Sequence, residues 1–169
     1  MALPSIIDPR KLAQQQALYE GHVGADQLSR FAQAVVAIES DLQARVEFDL
    51  NPSRKPCVNG SMNLRASVPC QRCLESVEIE VAAEFAVEVV WNEEQAAAII
   101  KRADSWIVPE RQANLVELLE DELLLALPVV SYHPPGQCKN DLRELVETVE
   151  EETTANDNPF AVLQSLKKH

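Results

Sequence analysis

Between residues 42 and 89, apolar and polar side chains alternate with a period of two. Leu42, Ala44, Val46, Phe48 and Leu50 alternate with Gln43, Arg45, Glu47 and Asp49, the pattern of a half-buried strand that Asn51-Pro52 then breaks. After a polar loop at 51–56, Met62, Leu64, Ala66 and Val68 alternate with Ser61, Asn63, Arg65 and Ser67, which predicts a second strand. A third follows, with Val77, Ile79, Val81, Ala83, Phe85, Val87 and Val89 on odd positions and Glu78, Glu80, Glu84 and Glu88 on even ones. The length of this strand predicts antiparallel pairing with the second, with Pro69-Cys70-Gln71-Arg72-Cys73 at the connecting turn. Its odd face should meet the core. Its carboxylate ladder should lie opposite Arg65 or another basic side chain, because like charges facing one another destabilise a sheet.

The period changes on either side of these strands. From Asp26, read as an N-cap, Leu28, Phe31, Ala32, Val35 and Ile38 recur at helical spacing and predict a short amphipathic helix. Glu93 to Arg102 predicts another short helix, and Trp106 to Pro109 an irregular or extended segment. Asn114 with Glu117 reads as a capping box, after which Leu115, Leu118, Leu119, Leu123 and Ala126 form an apolar stripe until Pro128 ends it. This predicts the main core helix, with Glu117, Glu120, Asp121 and Glu122 as a solvated face. The fold class is therefore α+β: an antiparallel sheet of long strands packed against a core helix, in a single domain over 1–146. Residues 147–157, rich in Glu, Thr and Asn, predict a flexible acidic linker. Residues 158–169 predict a short helix in which Asn158 caps, Pro159 fits the first turn, and Phe160, Leu163 and Leu166 form an apolar stripe suited to docking on a partner or on the domain itself.

Composition narrows the function. The net charge of −12 is uneven: residues 1–74 carry eight basic and seven acidic side chains, and residues 75–169 seven and twenty. An acidic surface repels phosphate, so RNA would have to be met through a local basic patch, for which Arg54, Lys55, Arg65 and Arg72 are the candidates, or through a protein. The acidic half suits a basic partner such as a ribosomal protein. The N-terminal residues lack the pattern of a secretory signal, and the longest apolar run, Leu123 to Val130, is far shorter than the roughly 20 residues that span a bilayer. A cytoplasmic protein without membrane contact is expected. No nucleophile–base pair or close carboxylate dyad is apparent, and with four glycines a phosphate-cradling loop is disfavoured, so the chain is not expected to be an enzyme.

The remaining chemistry is in the cysteines. A thioredoxin-like Cys-x-x-Cys places its first thiol at a helix N-terminus, whereas Cys70 and Cys73 fall where two strands turn, as in a zinc knuckle. His133 and Cys138, in the loop after the core helix, are the candidate second pair, giving three Cys and one His. Cys57 lies near the opposite end of its strand from Cys70 and is a poor ligand candidate. Two alternatives stay open at this point: packed free thiols, and a Cys-x-x-Cys redox sensor.

Several segments together resemble the bacterial YceD-like family, the large ribosomal RNA accumulation proteins. They are Val68-Pro69-Cys70-Gln71-Arg72-Cys73-Leu74, the stretch from Asn114 to Val130 with His133 and Cys138, and Asn158-Pro159-Phe160-Ala161-Val162-Leu163. Asp8-Pro9 and Tyr19-Glu20-Gly21 fit the same order. The resemblance implies a cytoplasmic role, with no assigned enzymatic activity, in synthesis, processing or accumulation of the large-subunit (23S) ribosomal RNA. The partners it implies are a large-subunit precursor, a ribosomal protein or an assembly factor, with possible rRNA contact. A zinc-stabilised protein adaptor without RNA contact is the alternative.

Overall fold

The computed structural model describes residues 1–99 and 103–138. Along the chain run β1 (Ile6–Ile7), α1 (Pro9–Gln14), β2 (Leu18–Val23), a 3₁₀ turn (Ala25–Gln27), α2 (Ser29–Ala34), β3 (Ala37–Ile38), β4 (Leu42–Leu50), β5 (Pro56–Pro69) and β6 (Ser76–Val90). Then follow α3 (Glu93–Ile99), β7 (Asp104–Ile107), β8 (Ala113–Asn114) and α4 (Leu115–Ala126). The main sheet has the order β2-β4-β5-β6-β7, with β3 continuing the β4 side of β5, and β1 pairs separately with β8. The α+β class and the long antiparallel strands are as the alternation predicted. The predicted linker at 147–157 and helix at 158–169, including Phe160, Leu163 and Leu166, lie outside the described residues.

The register explains why one face is dry. Val46 lies opposite Gly60, Leu64 opposite Val81, and Val58 opposite both Phe48 and Val87, so the apolar side chains of β4, β5 and β6 fall on one side. Ala13 of α1 and Leu115, Leu119 and Leu123 of α4 bury themselves there. The other side carries the polar set, and Arg65 lies opposite Glu80 and forms an ion pair with Glu78 at 3.2 Å. Gly60 makes room in this packing. A Cβ at that position would overlap the ring of Phe85 on the neighbouring strand. Gly60→Ala is expected to destabilise the fold by about 1–3 kcal/mol, measured by urea unfolding, because neither strand can move away from the other.

Three sequence expectations are corrected by the structure. The first helix does not start from an Asp26 cap: Asp26 is in the 3₁₀ turn, α2 covers only Ser29–Ala34, and Val35 turns extended so that Ile38 joins β3. Glu120 is not on a solvated face but buried, where it holds the start of α2. Glu88 is also buried, and it pairs with Lys55 at 2.9 Å and accepts from Asn51. The segment at Trp106 is extended, as one of the two readings had it, and forms β7 parallel to β6. Such a pairing needs a crossover of about a dozen residues, which α3 and its flanks provide.

Candidate metal centre

Two separate pieces of chain build the site at one end of the β5–β6 hairpin. At the hairpin tip, Cys70 N–H donates to the Glu75 carbonyl at 2.8 Å and Leu74 N–H to the Cys70 carbonyl at 2.9 Å, folding the Cys-x-x-Cys into a tight loop. Leu74 closes it in a left-handed conformation, φ 63°. After α4, Leu127 is extended ahead of Pro128, and the Gln71 N–H donates to the Ser131 carbonyl at 2.9 Å, which ties the descending loop to the tip. A turn from Pro134 to Gln137, with Gly136 at φ 81°, then brings Cys138 back beside His133.

The four side chains converge. Their candidate ligand atoms all lie within 4.8 Å of one another. Cys70 Sγ is 3.9 Å from Cys138 Sγ, and His133 Nδ1 is 3.4 Å from Cys73 Sγ and 4.0 Å from Cys138 Sγ. These separations are close to the edges of a tetrahedron of thiolate and imidazole ligands, roughly 3.5–3.8 Å for bonds of about 2.0–2.3 Å to zinc. The His133 ring is oriented from behind: Nε2 is 3.1 Å from the Ser76 carbonyl, which can only accept, so Nε2 carries the proton and Nδ1 offers its lone pair to the cluster. The group could therefore hold a metal ion.

The thiols differ electrostatically. Burial pushes Cys70 up, but the backbone N–H groups of Cys73, His133 and Arg72, together with the His133 side chain, outweigh it and bring the thiol down to about 5. Cys138 goes the other way, to about 11, through burial first and then through its neighbours Cys73 and Cys70. A cluster of thiols without a cation thus ionises unevenly, and a divalent cation reverses that repulsion. Around the site, Val68, Cys70 and Val77 form a small buried cluster separate from the main core.

The other candidate residues are dispersed. Cys57 lies opposite Glu88 at the far end of β5, whose 14 residues span roughly 40 Å. Arg54 and Lys55 are in the β4–β5 turn at that same far end, Arg65 is on the open face, and Arg72 stacks over Tyr132 with its guanidinium 5.5 Å from the ring centre. The four cations are therefore not one patch. Two contributors to this cluster escaped the sequence reading: the Ser76 carbonyl, which as a main-chain group leaves no signal, and the Ser131 carbonyl that accepts from Gln71.

Comparison with known proteins adds an independent line. Residues 58–167 match the family described as "Large ribosomal RNA subunit accumulation protein YceD". The chain is also similar to the protein of that name from Haemophilus influenzae (strain ATCC 51907 / DSM 11121 / KW20 / Rd), 35% identical over 168 residues that cover 98% of this chain and 97% of the relative. The chain belongs to the YceD family. The family match includes Cys70, Cys73, His133 and Cys138, so the group that could hold a metal lies inside the YceD region. No solved structure matches this YceD chain.

Proposed function

We propose that the chain is a non-enzymatic factor for the accumulation of large-subunit ribosomal RNA, built around a structural zinc ion held by Cys70, Cys73, His133 and Cys138. The observation that carries the ribosomal reading is the near full-length similarity to the Haemophilus influenzae protein named for that role. The ligand set supports zinc: three thiolates and one imidazole without an open position make a closed, structural site rather than a catalytic one. Nothing in this arrangement calls for chemistry on a substrate. The chain acts by binding, in the cytoplasm, and its net charge of −12 favours a basic ribosomal protein or assembly factor as the first contact. No helix among the described residues is long and apolar enough to cross a membrane.

The test is to remove the family member from a bacterium, supply this chain, and follow the ratio of large- to small-subunit ribosomal RNA together with sedimentation of the protein through a sucrose gradient. The expected result is a lowered ratio restored by the chain, and co-migration with large-subunit precursors that is lost on raising salt. A ratio that does not change on removal, with the protein staying at the top of the gradient at every salt concentration, would overturn the reading.

A further inference from the structure

We propose that the cleft at the β4–β5 turn end of the sheet, roughly 40 Å from the candidate metal centre, binds single-stranded RNA, with a base stacked on Trp91 and a phosphate on Arg54. The inference rests on the ribosomal reading above and names the surface through which RNA is met. The cleft has a volume of about 790 Å³, ample for a nucleotide, and its walls include Arg10, Leu50, Arg54, Lys55, Trp91 and Ile99.

Charge favours this place on an otherwise acidic chain, because among the described residues Arg10 and Arg54 stand together here without a carboxylate in direct contact, whereas Arg72, also without one, stands at the hairpin tip over Tyr132. Arg30, Arg45, Arg65 and Arg111 are each neutralised by a carboxylate in direct contact. Arg54 has no such partner among the described residues, and Arg10 donates to the carbonyls of Val90, Val108 and Glu110 rather than to an acid. Among the described residues, Glu88, which pairs with Lys55, is the one carboxylate in the wall of the cleft; Glu93 and Glu94 of α3 do not line it. The local balance is positive where the molecule as a whole is negative.

Trp91 supplies the second element. The Arg10 guanidinium lies 3.3 Å from the centre of its ring and covers one face, yet the residue is still 48% exposed. A solvent-exposed indole held in place by a cation can serve as a stacking platform, and stacking is available to bases of a single strand but not to those inside a duplex. The third element is the turn. Arg54 is held left-handed, φ 60°, a conformation that suits glycine better than arginine. Its N–H donates to the Asn51 carbonyl at 2.7 Å, while Ser53 and Lys55 donate their N–H groups to Asn51 Oδ1 at 2.9 and 3.0 Å. The loop therefore presents Arg54 in a fixed place at a local conformational cost, which points to a role for its side chain.

The experiment uses the full chain carrying Trp106→Phe, so that Trp91 is the only tryptophan, titrated with a ten-residue oligouridylate and with a duplex RNA of the same length. Quenching by the single strand and not by the duplex is expected, with an affinity that falls with salt at a log–log slope of roughly −0.7, the value for one phosphate neutralised on a single strand. Trp91→Ala should lose about tenfold or more in affinity, measured by anisotropy of a labelled oligonucleotide. Arg54→Gly should lose a similar factor while melting no lower than the parent, because glycine relieves the left-handed backbone; loss of binding there cannot come from unfolding. Equal binding of single strand and duplex, unchanged affinity in both variants, or the same quenching by an acidic peptide would overturn the proposal. If Arg54→Gly and Trp91→Ala both restore the ribosomal RNA ratio fully in the deletion strain, the cleft is not the RNA contact and the ribosomal reading stands; if the unaltered chain fails to restore it, the ribosomal reading itself fails.

Discussion

Chelation is expected to release one zinc ion per chain and to lower the thermal midpoint of unfolding by roughly 5–10 °C, corresponding to a loss of about 3 kcal/mol in a domain of this size. The expectation is smaller than the roughly 10–16 kcal/mol by which zinc drives folding of isolated zinc fingers, because most of this molecule does not depend on the metal. The main core joins α1 and α4 to the sheet without any of the four ligands. What is expected to depend on a bound metal is the hairpin tip and the loop from Ser131 to Cys138, where among the described residues Val68, Cys70 and Val77 form the small buried cluster. So small an apolar cluster contributes little to holding the two loops in register, and a bound ion is expected to supply the cross-link. Cys138→Ser and His133→Ala should each weaken zinc retention and reproduce most of the loss, whereas Cys57→Ser should leave both unchanged. In alkylation with iodoacetamide, Cys70, Cys73 and Cys138 should react only after chelation. A chain purified from zinc-replete medium that contains no zinc and melts identically with and without chelator would refute the structural metal, and reversible oxidation of its thiols would then favour a redox sensor.

The convergence of the three cysteines and His133 was legible in the sequence because cysteine is rare here and the alternation on both sides of Cys70 and Cys73 forced a turn between them. Two thiols at a hairpin tip, and a third with a histidine just after the helix that covers the same sheet, leave little freedom in where they meet. The orientation of the His133 ring was not legible, since it is set by a main-chain carbonyl. The basic candidates show the opposite case. Arg54, Lys55, Arg65 and Arg72 are close in sequence, but β5 is extended and carries them to opposite ends and to the open face. Sequence proximity along a strand means distance, whereas along a turn it means a cluster, and only Arg54 and Lys55 share a turn.

The fold was legible to a similar degree and for similar reasons. β4 runs from Leu42 to Leu50 as its alternation predicted, and Asn114 caps α4 by accepting from the N–H groups of Val116 and Glu117. β7, four residues long and paired in parallel with β6, is too short for a period to show. The helix expected from Asp26 to Ile38 failed at Val35, where the backbone becomes extended at φ −121° and feeds β3. Helical spacing persisted through that break because Val35 and Ile38 are apolar for a different reason: both pack on the core from irregular or strand positions.

The break in that helix leads to the second large effect, at Glu120. Leu28, which precedes α2, is buried and has no polar side chain to offer the first free N–H groups of the helix. Glu120 of α4 supplies what is missing: Oε1 accepts from the N–H groups of Arg30 and Phe31 at 2.7 and 2.9 Å, and Oε2 accepts from Arg30 Nε at 2.9 Å. A carboxylate suits the positive end of a helix, and here it also binds α2 to α4 across 90 residues of sequence. The position was visible in one respect, since 116, 120 and 123 fall on the same helical face as the apolar stripe, and Val116 and Leu123 are buried beside it. Glu120→Ala should cost about 3–5 kcal/mol in urea unfolding, because it leaves two backbone donors and a half-buried guanidinium without their acceptor. Glu120→Gln keeps an oxygen for the two N–H groups but loses the charge toward Arg30, and should cost about half as much. Asp121→Ala, which removes only the exposed half of the Arg30 contact at 2.6 Å, should cost less than about 1 kcal/mol. That order, with Glu120→Ala far more costly than Glu120→Gln and Glu120→Gln more costly than Asp121→Ala, separates a remote helix cap from an ordinary surface ion pair, for which substitutions at the two positions would have equal and small effects.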